Sequence, residues 1–150
     1  MGLTETIRKH RRIMIDTAPV IYFIEEHSVY GSIADKLFRW VKQNRDVRMF
    51  SSLITLIEVL TVPLRESNSA LAGKYKNFLL NSDNFTIYNL DTPIGEQAAM
   101  LRAKYGLRTP DAIQIATGTE NYATLFVTND SRLKKIQEME ILVLADYLEE

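Results

Sequence analysis

Cysteine is absent from this chain of 150 residues. Disulfides and thiolate metal sites are therefore excluded, and the composition fits the reducing cytoplasm, where we expect the protein to be located. The only two histidines, His10 and His27, lack the spacing of zinc ligands. The sequence also contains no Walker loop and no Gly-x-Gly-x-x-Gly loop, and nothing in it supports serine-triad or cysteine-nucleophile catalysis.

Long hydrophobic runs are absent as well, so we expect no membrane association. The net charge of −1, from 18 basic and 19 acidic residues, gives no indication that the molecule as a whole attracts nucleic acid. One segment nevertheless has basic residues at helical spacing: Lys36, Arg39, Lys42, Arg45 and Arg48. This spacing favours the solvated face of a helix, with a phosphate-binding surface as the alternative.

The length suits one domain over residues 1–150, of which we expect residues 1–11 to form a flexible basic N-terminus. Predicted strands lie in the segments RIMID, VRMFSS, FTIYNL, TLFVTND and ILVLA, and predicted helices lie between them. This alternation indicates an α/β fold, a three-layer α/β/α sandwich with a central, mainly parallel sheet. Ligands of such folds bind beyond the carboxyl ends of the strands.

Polar residues and a glycine mark the ends of several predicted helices. Thr17, Thr92 and Thr109 are predicted to cap three helices, each of which has a proline in its first turn. Gly106 is predicted to end the second of them. Apolar positions over residues 20–41 could serve either a dimer interface or the core.

Four acidic residues are the candidates for chemistry. Asp16 and Asp130 each follow a predicted strand, and Asp111 lies in the first turn of a predicted helix. Capping, turn formation and the helix dipole explain these three without catalysis. Glu58 lies in an apolar helix, and the nearest Lys or Arg is Arg65, seven residues away. A buried, unpaired carboxylate is costly, so a cation from outside the chain is a reasonable partner.

Carboxylate oxygens suit a hard divalent cation. Mg²⁺ prefers oxygen ligands in near-octahedral geometry and keeps several waters, and Mn²⁺ accepts the same surroundings. The acidic residues therefore favour Mg²⁺ or Mn²⁺ as the cofactor.

Four motifs, in order and suitably spaced, resemble those of PIN domains, and among these the VapC-type toxins of toxin–antitoxin pairs. They are IDTAPVIYFI, SSLITLIEVL, TPDAIQIATG and LFVTND, and the resemblance extends from about Ile13 to the end of the chain. The resemblance implies a PIN-like sandwich with Asp16, Glu58, Asp111 and Asp130 as catalytic residues and as ligands of one or two Mg²⁺ or Mn²⁺ ions. It also assigns supporting roles to Thr17 and Thr128. Many relatives have a polar residue where this chain has Ala18.

The activity that this resemblance implies is metal-dependent hydrolysis of RNA by the toxin of a toxin–antitoxin pair. The expected partners are an RNA substrate, a cognate antitoxin protein and a second copy of the chain in a homodimer. Basic residues at the mouth of the site would guide the RNA backbone, and the candidates are Arg11, Arg12 and Arg108.

Two other functions compete with this one. A catalytically silent PIN-like module would only bind RNA or protein, but the presence of all four acids argues against it. A phosphoryl-transfer enzyme of the haloacid-dehalogenase type needs a second aspartate two residues after the first, and Ala18 occupies that position.

Overall fold

The computed structural model describes residues 2–148, which form five parallel strands with helices on both faces of the sheet. The strands are β1 (Arg12–Ile15), β2 (Arg48–Ser52), β3 (Phe85–Tyr88), β4 (Leu125–Thr128) and β5 (Glu140–Val143). Their spatial order is β3-β2-β1-β4-β5, so β1 lies at the centre between β2 and β4. The predicted α/β/α sandwich with a parallel sheet is confirmed.

Seven α-helices and two short 3-10 helices accompany the strands within residues 2–148. The α-helices are α1 (Leu3–Ile7), α2 (Thr17–Ile24), α3 (Gly31–Gln43), α4 (Leu53–Arg65), α5 (Ser69–Asn81), α6 (Thr92–Tyr105) and α7 (Thr109–Glu120). The 3-10 helices span Ser131–Lys135 and Leu144–Tyr147. Over this part of the chain, no helix is both long enough and apolar enough to cross a membrane.

Alternate residues of the central strands face two separate hydrophobic clusters. Ile13 and Ile15 of β1 belong to the cluster that includes side chains of α1, α2, α3 and α5, whereas Met14 belongs to the cluster with α6 and α7. Val127 and Phe126 of β4 divide in the same way. Because both faces are covered, these strands are continuously apolar, as parallel strands usually are.

Part of the N-terminal segment, residues 1–11, which we expected to be flexible, is helical and packs into the core. Leu3–Ile7 forms helix α1, and Leu3 and Ile7 are fully buried in the core. The apolar positions of α2 and α3 likewise face inward, since Val20, Leu37 and their neighbours belong to the same cluster. Core packing therefore accounts for most of the apolar surface over residues 20–41.

Helix caps differ by one residue from the predicted positions. Asp16 rather than Thr17 caps α2, and Asp91 rather than Thr92 caps α6, because in each case the aspartate precedes the helix in extended backbone and accepts a bond from a backbone N–H. Helix α7 begins at Thr109 without a side-chain cap. Gly106 ends α6 with a φ of 69°, which confirms that prediction. Residues 149 and 150 lie outside the described residues.

Candidate active site

The carboxyl ends of the three central strands lead into the polar residues of one site. β1 ends just before Asp16, β2 ends at Ser52, and β4 ends at Thr128. The Asp16 carboxylate accepts hydrogen bonds from the backbone N–H of Thr17 (2.8 Å) and from the Thr128 hydroxyl (2.8 Å). Thr128 is fully buried and also accepts a bond from the backbone N–H of Asp130 (3.1 Å). The Thr128 hydroxyl thus joins the Asp16 carboxylate to the backbone of Asp130.

Gln114 is a buried residue of this site that the sequence reasoning missed. It lies one turn after Asp111 on α7 and is 2% exposed. Its Nε2 donates to the Thr55 hydroxyl (2.8 Å) and to Oδ1 of Asp16 (3.3 Å), while its Oε1 accepts from the Ser52 hydroxyl (2.6 Å). Ser52 also accepts from the backbone N–H of Ile54, and the Asp16 carboxylate, when ionised, can only accept from the amide. The amide is therefore oriented with its N–H groups toward Asp16 and Thr55.

Glu58 does not lie in the apolar surroundings that the sequence suggested. It is exposed on α4, and neighbouring Ile57 is 60% exposed, because this part of the helix faces outward. The Glu58 carboxylate nevertheless lies at the site, where Oε1 accepts a 3.1 Å hydrogen bond from the Thr17 hydroxyl. Thr17, the residue next to Asp16, therefore links Glu58 to the start of α2.

Arginines hold the other two carboxylates. Nε of Arg108 lies 3.2 Å from Oδ2 of Asp111. Arg132 contacts both oxygens of Asp130, with Nε 2.9 Å from Oδ1 and Nη2 2.7 Å from Oδ2. Arg132 follows Asp130 by only two residues, and nothing in its sequence spacing distinguished it from an ordinary surface arginine. Arg108 does lie beside the acidic residues, as predicted for a substrate-binding residue.

The carboxylates differ in how their protonation is perturbed. Burial raises the pKa of Asp16, and the negative charge of Asp111 adds to that increase against the lowering effect of the hydrogen bonds. Desolvation also raises the pKa of Glu58, with further contributions from Asp16 and Asp111. The hydrogen bonds from Arg132 lower the pKa of Asp130. Within the described residues no cation thus forms an ion pair with Asp16 or Glu58, whose ionisation is disfavoured, whereas Asp130 is paired with Arg132.

Two predicted substrate-binding residues lie at the wrong end of the sheet. Arg12 begins β1 and Asp16 follows the end of that strand, so the strand length of about 13 Å separates them. Arg12 donates to the carbonyl of Asn121 and its guanidinium lies over the Phe50 ring, while Arg11 pairs with Asp46. The prediction is therefore wrong for Arg11 and Arg12, because closeness along a strand does not bring its two ends together. Lys36, Arg39 and Lys42 are exposed on α3, as a solvated helix face requires, whereas Arg45 and Arg48, also exposed, lie beyond the end of that helix.

The donor chemistry of the site fits a hard divalent cation. Asp16, Glu58, Asp111 and Asp130 offer only oxygen ligands, and within residues 2–148 no Lys, Arg or His forms an ion pair with Asp16 or Glu58. In the same part of the chain, no group of three His, Cys, Asp or Glu side chains is arranged so that it could hold a metal ion as it stands. A metal ion would therefore have to draw in carboxylates that arginines now hold.

The raised pKa of Asp16 has a consequence for the stability of the metal-free protein. The folded state keeps this proton above pH 3.8, where the unfolded chain loses it, so the contribution of Asp16 to stability falls as pH rises through its folded pKa. We expect the free energy of unfolding of Asp16→Asn, relative to the wild type, to increase between about pH 4 and pH 8. Urea unfolding in EDTA measures this difference. Parallel pH profiles for the two proteins would contradict the prediction.

Comparison with known proteins places this fold and site in context. The family model described as the PIN domain matches residues 13–139. A search of curated proteins finds no match. The fold is similar to that of a chain in a toxin–antitoxin complex from Klebsiella pneumoniae, with 21% identity and a TM-score of 0.68 over 89% of this chain and 97% of that chain.

Two further structures share the fold. One is VapBC2 from Rickettsia felis bound to a DNA fragment from its promoter, with 17% identity and a TM-score of 0.70 over 87% of this chain and 96% of that one. The other is DNA-bound VapBC from Salmonella typhimurium, with 18% identity and a TM-score of 0.68 over 89% and 98% of the two chains. At these identities the likeness shows the fold alone.

Proposed function

Because the chain belongs to the PIN domain family, we propose that it is a Mg²⁺- or Mn²⁺-dependent endoribonuclease and the toxin of a toxin–antitoxin pair. The observation that carries this proposal is the convergence of Asp16, Glu58 and Asp111 at the carboxyl edge of the sheet, where the charge of Asp111 raises the pKa of Asp16 and the charges of both aspartates raise the pKa of Glu58. A site that concentrates negative charge needs a cation before it can accept a phosphodiester.

Each residue of the site has a role in the proposed reaction. Asp16, Glu58, Asp111 and Asp130 would hold the metal ion, which when bound supplies an activated water and stabilises charge on the attacked phosphate and on the leaving oxygen. Thr128 and Gln114 fix the orientation of the Asp16 carboxylate. Glu58 has a raised pKa and an exposed position, so it can also transfer a proton.

The partners follow from the same comparison. The three structures compared above are a toxin–antitoxin complex and two DNA-bound VapBC complexes, so we propose an antitoxin protein as the partner of this chain. RNA remains the proposed substrate, with Arg108 at the mouth of the site as a residue that contacts its backbone. Homodimer formation and a cytoplasmic location remain predictions of the sequence.

Expression in a bacterial host tests the proposal. We expect the wild type to arrest growth and to produce discrete new 5′ ends in one class of cellular RNA, because hydrolysis at a specific site leaves such ends. Mapping of RNA ends identifies the target in the same experiment. A strain that expresses Asp16→Asn at the same level is the control and should show neither effect. New ends that also form with this variant would contradict the proposal.

A silent binding module is the second candidate, and one observation favours it: Arg108 and Arg132 occupy two of the four carboxylates. Such a module would bind RNA to the same extent with and without metal and would show no turnover at any divalent cation concentration. Binding that depends on Mn²⁺, or cleavage at any metal concentration, decides against it.

A further inference from the structure

Arg132 lies in the most complete ion pair of the site. Its Nε and Nη2 contact both carboxylate oxygens of Asp130, while its backbone N–H donates to Oδ1 at 3.0 Å. A planar guanidinium matches a carboxylate in this two-point geometry, and it matches a phosphate equally well. The pair therefore uses the Asp130 oxygens that the proposed metal site requires.

The Arg132 side chain can leave this position without disturbing the fold. It is 73% exposed, so its movement uncovers no core residue. The backbone N–H of residue 132 would still bond Oδ1 of Asp130, which keeps Asp130 as the cap of the 3-10 helix Ser131–Lys135. Oδ2, whose side-chain contacts all come from Arg132 in the described residues, would then be available to another cation.

Arg132 also belongs to the electrostatics of the whole site. It interacts with Asp111 as well as with Asp130, and Arg108 interacts with Asp130 and Glu58 as well as with Asp111. Two exposed guanidinium groups thus lie at the mouth of one acidic site. When a metal ion neutralises the acids, these groups lose their partners beside the position that an RNA phosphate would occupy.

We infer that Arg132 is a substrate-positioning residue that alternates between two partners. In the metal-free protein it holds Asp130 and competes with the metal ion for that carboxylate. When the metal binds, it replaces Arg132 as the partner of the Asp130 carboxylate. The guanidinium is then released to contact a backbone phosphate of the RNA. This inference rests on the proposed function, and it adds to that function a residue that regulates access to the metal site.

Titration with Mn²⁺ alone, followed by calorimetry, tests the competition. Removal of the competing cation should tighten Mn²⁺ binding by Arg132→Gln roughly two- to fivefold, the range expected for loss of one exposed ion pair. The increase should vanish in the Asp130→Asn background, where no carboxylate is released. Arg39→Gln is the matched control. Arg39 forms a similar exposed ion pair with Asp35, in which Nη2 lies 2.9 Å from Oδ2, and this pair lies on α3, away from the site.

Binding of a single-stranded RNA tests the second partner. With a cleavage-resistant phosphorothioate RNA and all four carboxylates kept, Arg132→Gln should weaken binding in Mn²⁺ roughly three- to tenfold and reduce the salt dependence by about one phosphate contact. Arg39→Gln should change neither quantity. Arg132→Gln is thus expected to bind Mn²⁺ more tightly and RNA more weakly. A general loss of structure would weaken both and cannot produce this combination.

The outcomes separate this inference from the proposed function. If the wild type binds Mn²⁺ and Arg132→Gln binds it no more tightly, the exchange is wrong and the proposed nuclease stands. Unchanged RNA affinity in the variant likewise overturns the phosphate contact. If neither the wild type nor Arg132→Gln binds Mn²⁺, the proposed function and the inference both fail.

Discussion

Substitution of Asp16 by Asn is expected to reduce metal-dependent RNA cleavage on the order of 10³-fold or more, because it removes the charge at the centre of the site. Asp16 lies next to the ends of β1 and β4 and repels Asp111, so its carboxylate contributes most where a metal ion would be held. Cleavage of a defined RNA in Mn²⁺ measures the effect. Addition of excess EDTA should lower the activity of the wild type to the same level.

The folded state should tolerate this change. The Asn oxygen can still accept from the backbone N–H of Thr17 and from Gln114, and its amide group can donate to the Thr128 hydroxyl. The substitution also removes a carboxylate whose ionisation is penalised by burial. We therefore expect the melting temperature of Asp16→Asn to be at most about 2 °C below that of the wild type.

Asp91→Asn provides the matched control for Asp16→Asn. Asp91 caps α6 from the same extended backbone conformation as Asp16 at α2, and Asn is an equally good cap. This control should keep full activity. Robust cleavage by Asp16→Asn, or by the wild type in EDTA, would falsify the metal–carboxylate mechanism.

The sequence predicted those parts of the site that follow from strand ends. Asp16 and Asp130 follow the ends of two apolar segments, and parallel strands necessarily bring such ends to one edge of the sheet. The α/β class followed from the same segments, because strands covered on both faces are continuously apolar. Local signals of this kind do not depend on how distant segments pack.

The features that the sequence could not predict depend on how the helices, turns and strands are oriented in the fold. Glu58 has apolar neighbours along the chain, but Ile57 beside it is exposed to solvent. The apolar neighbours therefore did not indicate whether Glu58 is buried or exposed. Arg132 pairs with Asp130 through a turn whose geometry only the fold defines. Arg12 is near Asp16 in sequence yet lies at the opposite edge, since a strand is extended.

The sequence does contain a signal that could have identified Gln114 as a residue of the site. Its polar amide lies one turn after Asp111 on an otherwise apolar helix face. Ala112, Ile113, Ile115 and Ala116 around it are buried, so a glutamine at this position needs partners. Those partners, Ser52 and Thr55, come from a different part of the chain. Such a network is visible only once β2, α4 and α7 are packed together.

Substitution of Gln114 by Ala should therefore lower both stability and activity. The change leaves the buried hydroxyls of Ser52 and Thr55 without their amide partner, which costs roughly 1–3 kcal/mol in the free energy of unfolding. That loss corresponds to a decrease in melting temperature of about 2–4 °C for each kcal/mol. Cleavage should fall roughly 10- to 100-fold, because Asp16 loses a group that orients it.

The pH profile distinguishes positioning of Asp16 from a purely structural role of Gln114. The amide N–H of Gln114 lowers the pKa of Asp16, so in Gln114→Ala the acidic limb of the cleavage profile should move to higher pH. Gln43→Ala, at an exposed site near the end of α3, is the control and should shift neither the profile nor the melting temperature. A variant that is less stable but keeps the wild-type pH profile would show that Gln114 supports the fold without positioning the Asp16 carboxylate.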